Sequence, residues 1–166
     1  TERFTEVQKR MIDAIDAKIL TILQQDARIP NSEIAKMVGL VPSATSERIK
    51  KLSQKGLIHS YETRLNAQSL GFGLVAFIRV LTDEPVSGIG VGDQLAKIAE
   101  VQEVHNIAGE DCYLVKVRVK DAETLSKFLR DKIGSIKAVK STRTTIAMET
   151  FKETISIPVD TERNGN

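Results

Sequence analysis

The apolar residues of this chain change their spacing once, and that change limits the possible folds more than any other feature. In the first third they recur at steps of three and four, as in Ile12, Ile15, Ile19 and Ile22, with Leu20 and Leu23 widening the stripe. Beyond Gly73 the step falls to two, as in Tyr113, Val115, Val117 and Val119. A step of three to four places residues on one face of a helix, and a step of two on one face of a strand. The segment between them, Asn66–Gly73, is polar and then Gly-rich and reads as a linker. The expected organisation is therefore a helical domain over 1–62, a linker over 63–73, a mixed domain over 74–151 and a fraying tail over 152–166.

The first helix should run to about Gln25, because "DARIP" ends it: the residue before a proline is pushed out of helical geometry. Asn31 is a suitable N-cap for a second short helix with Ile34, Met37 and Val38 as its apolar face. Gly39 then supplies a left-handed stop, and Pro42 occupies the first position of a third helix, where its missing N–H costs nothing. At 100° per residue, Thr45, Ile49 and Leu52 of that helix fall within about 60° of one another and must face the first two helices. Ser43, Ser46, Glu47, Lys50 and Gln54 lie opposite, with Arg48 and Lys51 on the flanks. Gly56 ends the helix, and Leu57–Leu65 alternates enough for a short strand or wing. Three short helices, a glycine turn and a polar outer face on the third make a winged helix-turn-helix.

Charge supports this reading by its distribution rather than by the net value of +2. Residues 36–64 hold six basic side chains against two acidic ones, whereas 67–166 hold 13 basic and 14 acidic groups. Basic character thus sits where a polyanion would bind, and double-stranded DNA is the expected partner. Ser43 and Ser46 can bond phosphate or base edges, and Lys50 and Lys51 are natural phosphate partners. Arg48 has two readings, a DNA contact or an ion pair with an acid of the first helix such as Asp16. Glu47 could accept from a cytosine amino group or pair with Lys51 four residues on.

The second half reads as strand (Leu74–Leu81), helix ("GDQLAKIAEV", with Leu95, Ile98 and Ala99 inward), strand ("VHNIA"), strand ("YLVKVRVK"), helix ("AETLSKFLRDKI") and strand ("VKSTRTTIAMETF"). That order is the ferredoxin-like βαββαβ unit, an antiparallel sheet with both helices on one face, so the whole chain is of the α+β class. Val75, Phe77, Leu81, Leu114 and Ile146 are expected on the other face. An open apolar sheet face implies a partner, most simply a second copy of the chain.

Other function classes lack support. Cys112 is the single cysteine, and His59 and His105 have no partner at ligand spacing, so neither a disulfide, a metal centre nor a cofactor is expected. "GIGVGD" (Gly88–Asp93) has the wrong glycine spacing for a dinucleotide site. No apolar stretch approaches the ~20 residues that span a bilayer, and no leader opens the chain, so a cytoplasmic protein without a membrane partner is expected.

Taken together, "DAIDAKILTILQQDARIPNSEIAKMVGL", "SERIKKLSQKGLI", "GEDCYLVKVRVKD" and "VKSTRTTIAMET" resemble the Lrp/AsnC (leucine-responsive/asparagine regulator) transcription regulators, over about residues 13–151. The resemblance implies a DNA-binding domain, a ferredoxin-like sensing domain, dimers that assemble further to octamers, and an amino-acid effector. Siroheme decarboxylases, enzymes that resemble these regulators, would be expected to show clustered His and Arg for a tetrapyrrole's carboxylates, and this chain has only two His. A metabolite-binding adaptor would need no polar helix face. In the sensing loop, Gly109, Glu110 and Asp111 read first as a turn. Under the resemblance, the turn's N–H groups and carboxylates would hold the effector, helped by the hydroxyls of Thr142, Thr144 and Thr145, which β-propensity alone also explains. Two departures stand out: Val41 where the family has a capping Ser, and Cys112 where it has a second acid. The second removes an anionic group and favours a neutral or acidic amino acid over a basic one.

Overall fold

The computed structural model describes residues 12–85, 90–109 and 112–159. They fall into two compact units, one running to Arg64 and joined by the segment from Thr154, the other spanning Leu65–Glu153.

The first unit contains α1 (Ala14–Gln25), α2 (Asn31–Val38) and α3 (Pro42–Gln54). Their common core is Ile19, Ile34 and Leu52, fully buried, with Ile15, Ile22, Leu23, Val38, Ile49 and Ile58 packed around it. Burial of each such side chain contributes about 1.5–3 kcal/mol. Asp13 caps α1 in a capping box, its carboxylate accepting from the Asp16 N–H at 2.8 Å. Gly39 takes φ +74° at the end of α2, which lets the chain turn at once into α3.

Some expectations need correction. Pro30, not Asn31, is the N-cap of α2: its carbonyl accepts from the Glu33 and Ile34 N–H groups, so the helix starts one residue earlier. Met37 is 60% exposed. Ile34, Ala35 and Val38 span an arc of about 100°, and Met37 lies outside it. Residues 57–65, expected to alternate as a strand or wing, form no ladder among the described residues. The segment from Thr154, read as a fraying tail, meets α1: the Gln24 amide donates to Ile157 O at 3.0 Å and accepts from Ile157 N at 2.8 Å.

The second unit holds β1 (Leu74–Thr82), α4 (Gly90–Ala96), β2 (Val101–Asn106), β3 (Tyr113–Val119), α5 (Ala122–Phe128, continued by a π-turn over Leu129–Ile133) and β4 (Val139–Ile146). The strands form an antiparallel sheet in the order β2-β3-β1-β4, the ferredoxin-like arrangement. Ala76, Ile78, Val80, Tyr113, Val115, Val117 and Val119 are buried on the helix side with Val91, Leu95, Leu125 and Phe128. β2 starts three residues before the expected "VHNIA", because a register shift between Val101 and Glu103 masks the alternation. α4 stops at Ala96, which leaves Ala99 exposed. β4 stops at Ile146 rather than running on to Phe151.

Ile146 pairs with Ala76 and therefore lies on the helix side, not on the open face. The open face carries Val75, Phe77, Arg79 and Leu81 from β1 and Leu114, Lys116 and Arg118 from β3. It is also less apolar than expected. Glu153 bonds Lys116 at 2.6 Å and Arg118 at 2.7 Å, and Glu103 bonds Lys116 at 3.0 Å.

Leu52→Ala should destabilise the helical unit by about 2–5 kcal/mol, read as a lower denaturation midpoint by circular dichroism, while Met37→Ala changes it by less than about 0.5 kcal/mol. The hydrogen bond from Lys116 holds both the Glu153 and the Glu103 carboxyls below the usual glutamate value of 4.5. A lowered carboxyl contributes stability that is present above that value and lost as pH falls through the folded one. Glu153→Gln should therefore flatten the acid limb of the stability–pH curve below about pH 4.5, read from denaturation midpoints across pH.

Candidate nucleic-acid interface and sensing loop

The core and an ion pair hold one side of α3. Thr45 and Leu52 are buried, and the Thr45 hydroxyl donates back to Val41 O at 3.3 Å, which satisfies its polar group inside the core. Arg48 reaches back to α1, where Nη1 bonds Asp13 at 2.7 Å and Asp16 at 2.8 Å. The two acids that cap α1 thus also clamp α3. Hydrogen bonds to Asp13 and then Asp16 raise the Arg48 pKa. Burial pushes the Asp13 carboxyl up, but bonds from the Asp16 N–H and from Arg48 outweigh it, and the net shift is downward. Of the two readings of Arg48, the ion pair is the one whose partners are in place.

The opposite side of α3 is open. Ser43, Ser46, Glu47, Lys50 and Lys51 are all exposed. Glu47 and Lys51 form the i,i+4 pair at 2.8 Å with both side chains mostly in solvent, and this contact with Lys51 lowers the Glu47 pKa. So exposed a pair adds little stability, and Lys51 can exchange Glu47 for a phosphate at small cost. Lys50 makes no hydrogen bond or ion pair among the described residues. Val41 gives no side-chain cap, so the first N–H groups of α3 lack one, and the positive end of the helix dipole faces outward. Asn31, freed from the capping role expected of it, donates from Nδ2 to Ser46 Oγ at 2.9 Å. The signal that could have revealed it is Pro30, whose extended geometry suits an N-cap and moves Asn31 into the first helical turn.

The sensing loop follows β2. Ile107 N–H donates to Cys112 O, and Cys112 N–H to Val80 O, each at 3.0 Å, which seats the loop base against the end of β1. Gly109 sits at φ +136°, a conformation open to glycine. Glu110 and Asp111 lie outside the described residues. Thr142 registers opposite Val80 across β1 from Tyr113, so it stands two strand spacings, about 10 Å, from the loop base. Thr144 registers opposite Ile78 and instead lines a groove of 530 Å³ with Ala122, Leu125, Ser126, Leu129, Arg130 and Ile146. Thr145 registers opposite Phe77, on the open face. Among the described residues no group of three side chains could hold a metal ion, and no helix is long and apolar enough to cross a membrane.

A family model of the AsnC-type helix-turn-helix domain matches residues 12–53, and one of the Lrp/AsnC ligand-binding domain matches residues 75–157. The chain belongs to the Lrp/AsnC family. It is 40% identical over 148 residues to the HTH-type transcriptional regulator FL11 of Pyrococcus horikoshii, covering 89% of this chain and 97% of that protein. It is 33% identical to the leucine-responsive regulatory protein of Escherichia coli, covering 90% and 93%. Among solved structures, a transcriptional regulator of Neisseria meningitidis in complex with L-Met superposes with a TM-score of 0.85 at 30% identity, covering 90% of this chain and 98% of that one. A feast or famine regulatory protein of M. tuberculosis complexed with L-methionine superposes at 0.79 with 31% identity, covering 87% and 97%. The Lrp/AsnC assignment thus spans both units and agrees with the sheet order observed.

Arg48→Ala should lower the stability of the helical unit by about 1 kcal/mol, the charge-assisted bonds being discounted for partial exposure. Its retained DNA complex should keep the wild-type salt dependence. A flattened slope in a salt titration would return Arg48 to the set of phosphate contacts.

Proposed function

We propose that this chain is a DNA-binding transcription regulator whose affinity for DNA is coupled to an amino acid held at the loop between β2 and β3. The observation that carries the first part is the one-sided anchoring of α3. Thr45, Leu52 and Arg48 hold it from behind, and a row of short hydroxyl, acidic and ammonium groups faces out. In this reading Lys50 and Lys51 meet phosphates, while Ser43, Ser46 and Glu47 reach base edges in the major groove. The relatives are transcription regulators, which supports a regulator over an enzyme.

Two structural relatives were solved as complexes with L-methionine, a neutral amino acid. In this chain Gly109, Glu110 and Asp111, with Thr142 across the end of β1, supply the mixture that such a ligand needs. Its carboxylate and ammonium must both be satisfied once water is excluded. Thr144 belongs to this set only if the ligand reaches the groove along α5. A second copy covers the open sheet face through Phe77, Leu81 and Leu114, giving a two-fold dimer, and further assembly to octamers brings sensing loops together. An effector that favours one assembly by ~1–3 kcal/mol must bind that assembly more tightly by the same amount.

Replacing Lys50 and Lys51 by Ala should weaken binding to any duplex and flatten the plot of log affinity against log salt by about two units. An unchanged slope removes both from the interface. Isothermal calorimetry should show L-Met or another neutral amino acid binding in preference to Lys or Arg, with affinity lost in Asp111→Ala. Preferential binding of a basic amino acid would refute the charge reasoning, and no heat with any amino acid would leave the loop a turn only.

A further inference from the structure

We infer that Asn31, a residue of α2, sets the hydrogen-bonding polarity of Ser46 on α3 and thereby selects which base Ser46 reads. The inference rests on α3 being the DNA-reading helix. Hydroxyl groups in helices commonly donate their proton to the carbonyl four residues back. Thr45 does so to Val41 O at 3.3 Å, and Ser53 to Ile49 O at 3.0 Å. Ser46 does not. Its Oγ instead accepts from Asn31 Nδ2 at 2.9 Å, so one lone pair is occupied and the proton is not spent within the described residues.

A serine hydroxyl has one proton and two lone pairs, arranged about the Cβ–Oγ bond. With one lone-pair direction fixed toward Asn31, the proton is free to turn outward, and accepting a hydrogen bond strengthens it as a donor. Ser46 is exposed in the first half of α3, about 100–120° around the helix from Thr45 and Leu52, and in helix-turn-helix complexes it is the N-terminal part of the recognition helix that meets base edges. A hydroxyl donor there fits an acceptor in the major groove: guanine O6 or N7, adenine N7 or thymine O4. Cytosine offers only its N4 amino donor, so it is the base disfavoured opposite Ser46. Asn31 touches no base in this arrangement. It is a positioning residue, and it makes the readout a joint property of α2 and α3.

The substitution that tests this keeps the shape and reverses the polarity. In Asn31→Asp the carboxylate can only accept, so it takes the Ser46 proton and leaves lone pairs facing the DNA. The full-length wild type is used to select a duplex from a randomised library. A panel of single-base variants of that duplex is then titrated with wild type, Asn31→Asp, Asn31→Ala, Ser46→Ala and the double variant Asn31→Asp/Ser46→Ala, with folding checked by circular dichroism. The wild type should disfavour cytosine at one position by about five- to tenfold, the worth of one hydrogen bond. Ser46→Ala should lose that discrimination, and Asn31→Asp should shift it toward cytosine or adenine. Asn31→Asp in the Ser46→Ala background should lower affinity uniformly, through its added charge, without changing the base profile. An Asn31→Asp profile equal to wild type, or a Ser46→Ala profile equal to wild type, overturns the inference. A wild type that binds no duplex defeats the DNA-binding reading itself.

Discussion

A helix that must leave one side bare for a ligand has to be fixed entirely by the other side, and this constraint shapes the helical unit. α3 has 13 residues, and only Thr45 and Leu52 of them are buried. Hydrophobic burial at one leucine and part of Ile49 fixes the position of the helix but leaves its rotation loosely defined. Arg48 supplies the missing term, because its Nη1 meets two carboxylates whose positions are already set by the capping box of α1. A rotation of α3 about its axis would break a charge-assisted bond and move the serines and lysines of the open face with it. The clamp is therefore a device of orientation more than of stability.

The sheet solves a related problem with different means. Its helix side is filled by alternate residues of β1 and β3, most of them branched (Ile78, Val80, Val115, Val117 and Val119), and this side makes the core. The other side could have been a plain apolar sheet. Instead Lys116 and Arg118 lie there with only 14% of each side chain exposed, held by Glu103 and Glu153. Arg79 and Arg143, cross-strand neighbours on the same face, form no ion pair among the described residues. Like charges directly opposite each other on a sheet are unfavourable. The two arginines are thus left for solvent or for a carboxylate brought by whatever covers the face.

Much of this arrangement was legible in the sequence because it depends on periodicity. The stripe of Ile15, Ile19 and Ile22, the glycine stop at Gly39 and the alternation from Tyr113 to Val119 each carry their own geometry. What was not legible depends on single exceptions to a period. The shift between Val101 and Glu103 hides the start of β2, and Pro30 acting as a cap moves Asn31 from a backbone role to a side-chain one. Ile146 was assigned to the wrong face because face assignment on an edge strand needs its partner, and only the register with Ala76 decides it. For the candidate site, spacing picked out the open residues of α3 but could not choose between the two readings of Arg48. That choice rests on a contact 32 residues away in sequence, between Arg48 and Asp16.

The cations of the chain sort into those that serve the fold and those that are offered outward. Arg48, Lys116, Arg118 and Lys140 each meet a carboxylate of their own unit, and the contacts of Arg48, Lys116 and Arg118 join elements far apart in sequence. Lys51 is paired only within its own helix, to an exposed glutamate that a phosphate can replace. Lys50, Arg79 and Arg143 have no ion pair among the described residues, and they lie on the open face of α3 and the open face of the sheet. A cation left without a partner on a folded surface costs little while water solvates it, and it retains its full charge for an incoming anion. The excess of basic over acidic groups in residues 36–64 is thus concentrated further by folding, since Arg48 is withdrawn from the open face of α3 and the lysines are left on it. The net charge of the region describes its attraction to a polyanion at a distance, and the partition of its cations describes which of them can close on it.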